Sequence, residues 1–407
     1  MNPTTALGSR HPASIVLDPP RLPAEKAARL VLVGRVLAVV GLLAAAGAAV
    51  ADSHRFAFSY LVGFTFVVTL ALGGLVFVMI QHLTRAGWSV APRRQMEWLA
   101  GSLPVLAVLF VPIALLSHDL YEWLHPEAMK DHVLRSKAAY LNAPFFFVRA
   151  AIYLGAWAGL SWFFTSRSRR QDETGDPQLT RSMQAFSAPA VPIFALTITF
   201  AGFDWLMSLQ PHWYSTIFGV YVFSGALSSA LAALALGTIA LQRSGLVKSV
   251  STVEHRHDIG KLLFGFTVFY AYISFSQYFL IWYANIPEET VFYLSRWVGS
   301  WKPLGLVLVF AHFVVPFLLL LSRSGKRSPL VLGIAAATLL VGHYVDMYWL
   351  VMPILDKQGM SPSWIDLAAL LAPVGVLAWW VTDRAAKDAL YPMRDPRLHE
   401  AVQLENA

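Results

Sequence analysis

Cysteine is absent from all 407 residues. Disulfides, thiol nucleophiles and cysteine-ligated iron–sulfur clusters are therefore excluded from this chain. Charge is scarce too: 14% of residues are Asp, Glu, Lys or Arg, against about 25% in a soluble protein. No Walker A sequence, Rossmann glycine fingerprint, HExxH or nucleophile elbow occurs, so the common signatures of nucleotide, dinucleotide, zinc-protease and serine-hydrolase chemistry are missing. The longest polar connection, 118–143, has mixed charge and can dock a partner, but it is too short to be an enzyme domain.

What is present is apolar length. Hydrophobic residues make up 57% of the chain, and many runs reach the ~20 residues that a spanning helix requires. Ten such segments are read at roughly 30–51, 57–80, 98–117, 144–166, 187–209, 213–241, 259–285, 302–322, 329–352 and 363–383. The expectation is an all-α polytopic membrane protein with ten transmembrane helices. The net charge of +7 does not point to nucleic acid, because the basic residues sit in short loops between apolar runs. Many of the 14 Trp and 14 Tyr lie at the ends of those runs, as interfacial anchors do.

Lys and Arg set the orientation. With the N-terminus inside, the two tails and the even-numbered loops carry 21 of them and the other side 6. The remaining four (Arg35, Arg149, Lys261, Lys302) lie in or at the helices. That bias predicts cytoplasmic N- and C-termini. Ala49-Val50-Ala51 resembles a signal-peptidase site, but the run before it is long for a signal peptide.

Segments 2–5 and 6–9 look like parallel copies of one four-helix unit. Segments 5 and 9 share Asp-x6-Pro, as Asp204 with Pro211 and Asp346 with Pro353. Segments 4 and 8 both exit at Ser-Arg-Ser. The organisation expected is a cytoplasmic tail (1–29), peripheral helix 1 (30–56), two bundles (57–212 and 213–353), peripheral helix 10 (354–383) and a second cytoplasmic tail (384–407).

Ionisable residues inside these helices collect toward the outer side. Asp204, Arg149, Asp346, His343 and His312 all lie in the outer half, with His343 one turn deeper than Asp346 on nearly the same face. Charged groups in hydrocarbon are costly and usually face a partner or a path. Carboxylate and imidazole groups at that depth can accept protons and pass them outward. Structural readings exist beside that one. Asp204 can pair with Arg149, His343 can bond Asp346, and His312 can be an ordinary interior histidine. A haem held by two histidines is disfavoured by the lack of a second layer. Tyr270 and Gln277 share a face of segment 7, as a hydrogen-bonded wire, a quinone contact or plain interhelix glue. His255 to Asp258 (HRHD) reads as a solvated loop rather than a metal site, and no metal or catalytic residue is expected.

Four stretches carry a resemblance: APFFFVRAAIY (143–153), FAGFDWLMSLQPHWYSTIFGVY (200–221), FSQYFLIWYANIPEET (275–290) and GHYVDMYWLVMP (342–353). With them the chain resembles the NrfD-like, polysulfide-reductase membrane-subunit family, and most closely the membrane subunits of bacterial alternative complex III, a quinol:cytochrome c or high-potential-acceptor oxidoreductase. The resemblance runs from about residue 30 to near the end. It implies the bacterial inner membrane. It implies as partners a homologous ten-helix subunit, an iron–sulfur subunit, c-type cytochromes, lipids and, as a further candidate, a terminal oxidase. Haem and iron–sulfur would belong to those partners, with quinol as the one ligand to consider here. Two other classes compete: a secondary transporter on the same parallel repeat, and a structural membrane scaffold.

Overall fold

The computed structural model describes residues 21–406. Those residues are overwhelmingly helical, with no strand among them, and ten helices are long and apolar enough to cross a membrane. The molecule is an all-α polytopic membrane protein. The spanning helices are α1 (Ala24–Ala51), α2 (Ser53–Leu83), α3 (Val90–Leu115), α4 (Ala143–Thr174), α5 (Pro177–Trp205), α6 (Phe218–Arg243), α7 (Val253–Ala284), α8 (Trp301–Leu321), α9 (Pro329–Leu355) and α10 (Trp364–Lys387).

Several helices outrun their apolar stretches. α1 begins at Ala24 because AEKAAR is good helix-forming sequence and Arg29 pairs with Glu25 one turn back at 2.6 Å. α4 continues to Thr174 and ends at Gly175, whose φ of +70° is natural for glycine. α7 starts at Val253, so HRHD is not a solvated loop: it is the helix's first turns. His255 there closes a capping box, its Nδ1 accepting the Thr252 N–H at 3.1 Å. α3 is broken into pieces ahead of Pro104 and Pro112, since proline removes a backbone donor and clashes with the preceding turn.

The packing order repeats. In the first unit α2 touches α3, α3 touches α4, α4 touches α5 and α5 returns to α2. In the second, α6 touches α7, α7 touches α8, α8 touches α9 and α9 returns to α6. The units meet through α2 against α6, flanked by α2–α9 and α5–α6, which correspond under the repeat. α10 lies beside α2, and α1 packs chiefly on α10. This layout explains α2, whose apolar window is 94% buried: every face meets protein, so every face can be apolar.

The α2–α6 seam is set by Gly73. A Cβ there would lie 2.2 Å from the Ala226 carbonyl oxygen and 2.5 Å from the Ala230 Cβ. Gly73→Val is therefore expected to wedge the units apart and cost about 1–3 kcal/mol, as overpacking does. Gly155 has nothing within 4 Å of its Cβ position, so Gly155→Ala should leave stability unchanged or raise it by about 0.5–1 kcal/mol. Thermal unfolding in mild detergent separates the two. Equal melting temperatures for Gly73→Val and wild type would contradict this seam.

The chain after α10 runs back across the face where α1 begins and α10 ends, and ties the two units together. On the first unit, Asp395 pairs with Arg93 at 2.6 Å, and the Arg394 Nη1 donates to the Glu173 carbonyl at 2.5 Å. On the second, the Asn406 side-chain amide donates to Glu254 at 3.3 Å. Burial pushes the Asp395 pKa up, but Arg93 beside it overcomes this and holds it below its ordinary 3.8. A carboxylate lowered on folding contributes stability above its unfolded pKa and loses it as pH falls through the folded one. Proteolysis of this tail should thus stay slow from pH about 5 to 8 and accelerate below about 4. Acceleration already near neutral pH would rule out the Arg93–Asp395 clasp as its anchor.

Candidate functional site

Two acid-bearing helix ends carry the repeat, and the structure treats them differently. In the first unit Asp204, on α5, is fully buried and gripped by Arg149 of α4. The guanidinium meets it with two bonds, Nε to Oδ2 at 2.7 Å and Nη2 to Oδ1 at 3.0 Å. Tyr153, one turn along the same face of α4, donates its hydroxyl to Oδ2 at 2.8 Å. The remaining Arg149 Nη1 donates to the Tyr140 carbonyl at 3.0 Å, and the Tyr140 ring lies 3.8 Å from the guanidinium. Burial, aided by Asp204, raises the Tyr140 hydroxyl's pKa well above its usual value, so it stays protonated. The acid here is paired, fork to fork, and both oxygens are satisfied.

In the second unit Asp346, on α9, is also buried, but no basic side chain pairs with it among the described residues. Its Oδ1 accepts the Tyr221 hydroxyl from α6, and Tyr221 in turn shares a hydrogen bond with Tyr270 of α7 at 3.1 Å. Its Oδ2 has no protein partner. His343, one turn deeper, does not bond Asp346: its Nε2 meets Thr69 Oγ1 of α2 at 2.8 Å. The Thr69 hydroxyl already donates to the Thr65 carbonyl at 2.7 Å, so Thr69 accepts and the His343 Nε2 carries the proton. That leaves His343 Nδ1 as a bare acceptor, also without a protein partner. It faces Gly225, where a Cβ would come within 3.1 Å of it.

His312 completes the group. It lies in a π-turn, Phe310–Val314, inside α8. Pro316, four residues on, has no N–H for the His312 carbonyl, which favours such a local rearrangement. The His312 ring centroid is 3.8 Å from that of Tyr270 and 6.1 Å from that of His343, and neither ring nitrogen has a protein partner. Four polar atoms in one buried cluster thus lack a protein partner, each worth about 1–3 kcal/mol if left so. Their concentration in one place makes this cluster the candidate site.

Outward of Asp346 the polar atoms continue. Gln277 Oε1 accepts the Ser215 hydroxyl at 3.0 Å, and its amide donates to the Tyr293 hydroxyl at 3.3 Å. Tyr270 and Gln277 share a face of α7 but do not bond each other. Beside Tyr293 sits Arg296, buried without a carboxylate. Its Nε donates to the Trp349 carbonyl at 3.1 Å, and its Nη2 to the Leu350 carbonyl at 2.6 Å. Pro353 frees that Trp349 carbonyl, since it offers no N–H four residues on. In the first unit Lys137 donates to the carbonyl of Pro211 itself at 2.6 Å, beyond the end of α5. Burial lowers the pKa of the Arg296 guanidinium to about 9 and raises that of the Tyr293 hydroxyl to about 12.

Sequence reasoning missed Tyr221, Thr69, Tyr153 and Arg296 as site residues. Tyr221 and Tyr153 lie inside stretches already singled out, seventeen residues after Asp204 and one turn after Arg149. Thr69 carries no signal in an apolar run. Arg93 and Arg94, counted as loop charges, are instead buried in α3 and paired with Glu97. Asp366 is a structural pin, held by Arg55 at 2.9 Å and Ser59 at 2.6 Å.

No protein-family model matches this chain, and no curated protein matches it.

Proposed function

We propose that this chain is an integral membrane subunit of a quinol:cytochrome c (or high-potential-acceptor) oxidoreductase of the alternative complex III type, and that it moves protons through the Asp346 cluster. The observation that carries the reading is a buried carboxylate with no basic partner, hydrogen-bonded to Tyr221 and surrounded by Tyr270, His343 and His312. A carboxylate neutralised by arginine is fixed in one state, whereas one bonded only to hydroxyl groups can take and give a proton. Asp346, His343, Tyr221 and Gln277 all fall within the four stretches that carry the resemblance.

Quinol oxidation releases two protons with two electrons, and the electron carriers would lie on partners, since this chain has no cysteine. Tyr221, Tyr270, His312, His343 and Asp346 are all buried, which supports a proton-handling role for the cluster over a direct quinol contact. The role assigned to them is proton movement toward the face opposite the start of α1, past Gln277 and Tyr293. From the charge bias we read the face where α1 begins as cytoplasmic, and from the resemblance the host membrane as the bacterial inner membrane. A second ten-helix subunit, an iron–sulfur subunit and c-type cytochromes are the expected partners.

A secondary transporter is the second reading, favoured by the breaks in α3 and the π-turn in α8, since transporters bind substrate at interrupted helices. Affinity purification of the tagged protein in gentle detergent, with haem spectra and mass spectrometry, separates the two. Co-purification with c-type cytochromes and an iron–sulfur protein is the expected result. Recovery alone, without haem, would overturn the oxidoreductase reading.

A further inference from the structure

Three arginines converge on a pocket that the proton cluster does not use. It is a narrow cleft, open to the surface, at the start of α3, the end of α4 and the end of α10. Arg94, Arg169 and Arg384 line it, together with Trp98, Trp380, Glu97 and Asp388. The two acids are already engaged. Glu97 takes Arg93, Arg94 and the Ser168 hydroxyl, and Asp388 accepts the Trp98 indole N–H at 3.2 Å.

The cations are not matched in the same way. The guanidinium groups of Arg169 and Arg384 make no hydrogen bond or ion pair among the described residues; that of Arg384 lies over the Trp380 ring, 4.6 Å from its centroid. Arg94 is 1% exposed and paired with Glu97 and Asp172, so it closes the floor of the cleft, while the Nε of Arg384 is buried without a partner. Unmatched guanidinium donors converging on one pocket call for an anion, and guanidinium suits phosphate oxygens best.

Position narrows the anion. The site sits where the helices leave the apolar zone, beside two tryptophans of the kind that mark a membrane interface. Trp162, seven residues before Arg169 on the same face of α4, is 65% exposed. It offers an acyl chain an apolar track running from the pocket toward the membrane centre. We propose that this pocket binds the phosphodiester of an anionic phospholipid, with Arg169 and Arg384 as its principal contacts and Arg94 as the buried floor. The inference is independent of the electron-transfer reading.

The test is native mass spectrometry of the delipidated protein, titrated separately with phosphatidylglycerol, phosphatidylcholine and inorganic phosphate, for wild type and Arg169→Gln/Arg384→Gln. Neither arginine supports the fold through a bond, so both proteins should melt at the same temperature. Wild type should bind one phosphatidylglycerol tightly, and the double variant roughly 25-fold more weakly, from about fivefold per interfacial arginine. Phosphatidylcholine should bind both proteins weakly and equally. Equal phosphatidylglycerol binding by the two proteins would overturn the site. Wild-type binding of phosphatidylcholine as tightly as phosphatidylglycerol would overturn the recognition of charge. Displacement of the lipid by millimolar inorganic phosphate would overturn the lipid as the source of the anion.

Discussion

Arg149→Met is expected to destabilise the protein by about 3–5 kcal/mol. The cost arises less from the lost ion pair than from what remains. Asp204 is fully buried, and without Arg149 only the Tyr153 hydroxyl still faces it. An uncompensated carboxylate in that position must ionise at great cost or take up a proton. The Tyr140 loop would also lose the guanidinium that holds its carbonyl and stacks on its ring. The double variant Arg149→Met/Asp204→Leu should recover much of the loss, because replacing both partners of a buried pair with apolar groups is often close to neutral. Thermal melts of the single and double variants in the same detergent measure this. A double variant less stable than the single one would mean that the pair contributes more than mutual neutralisation.

Asp346→Asn should behave in the opposite way. Asp346 has no cation to abandon, and the amide oxygen can still accept the Tyr221 hydroxyl. Stability should change by no more than about 1 kcal/mol. Proton movement, however, should fall by about 100-fold or more, the usual magnitude for losing a general acid–base group. The two Asp-x6-Pro acids are thus held differently, one paired with arginine and one bonded only to a tyrosine hydroxyl.

That difference was only half visible in the sequence. The ten spans were legible because apolar length is a direct consequence of bilayer thickness. Their ends were not, because α4, α5 and α7 extend through polar turns that hydropathy cannot distinguish from loops. The Arg149–Asp204 pair could be anticipated from depth on consecutive helices. His343 and Asp346 invited pairing with each other for the same local reason. Instead each reaches a different helix, Thr69 on α2 and Tyr221 on α6. Those partners are set by how the two units dock, which no single segment encodes. Arg93, Arg94 and Arg296 were read as loop charges because an arginine near a run's end looks solvated until its carboxylate or carbonyl partner is placed beside it.

The most direct test of the central claim compares Asp346→Asn with Asp346→Glu in the purified complex reconstituted into vesicles, measuring protons released per electron transferred. Asp346→Asn is expected to abolish release while the complex stays assembled, and Asp346→Glu to restore most of it. Undiminished proton release in an assembled Asp346→Asn complex would contradict the account and leave the Asp346 cluster a structural feature of the α6–α9 packing.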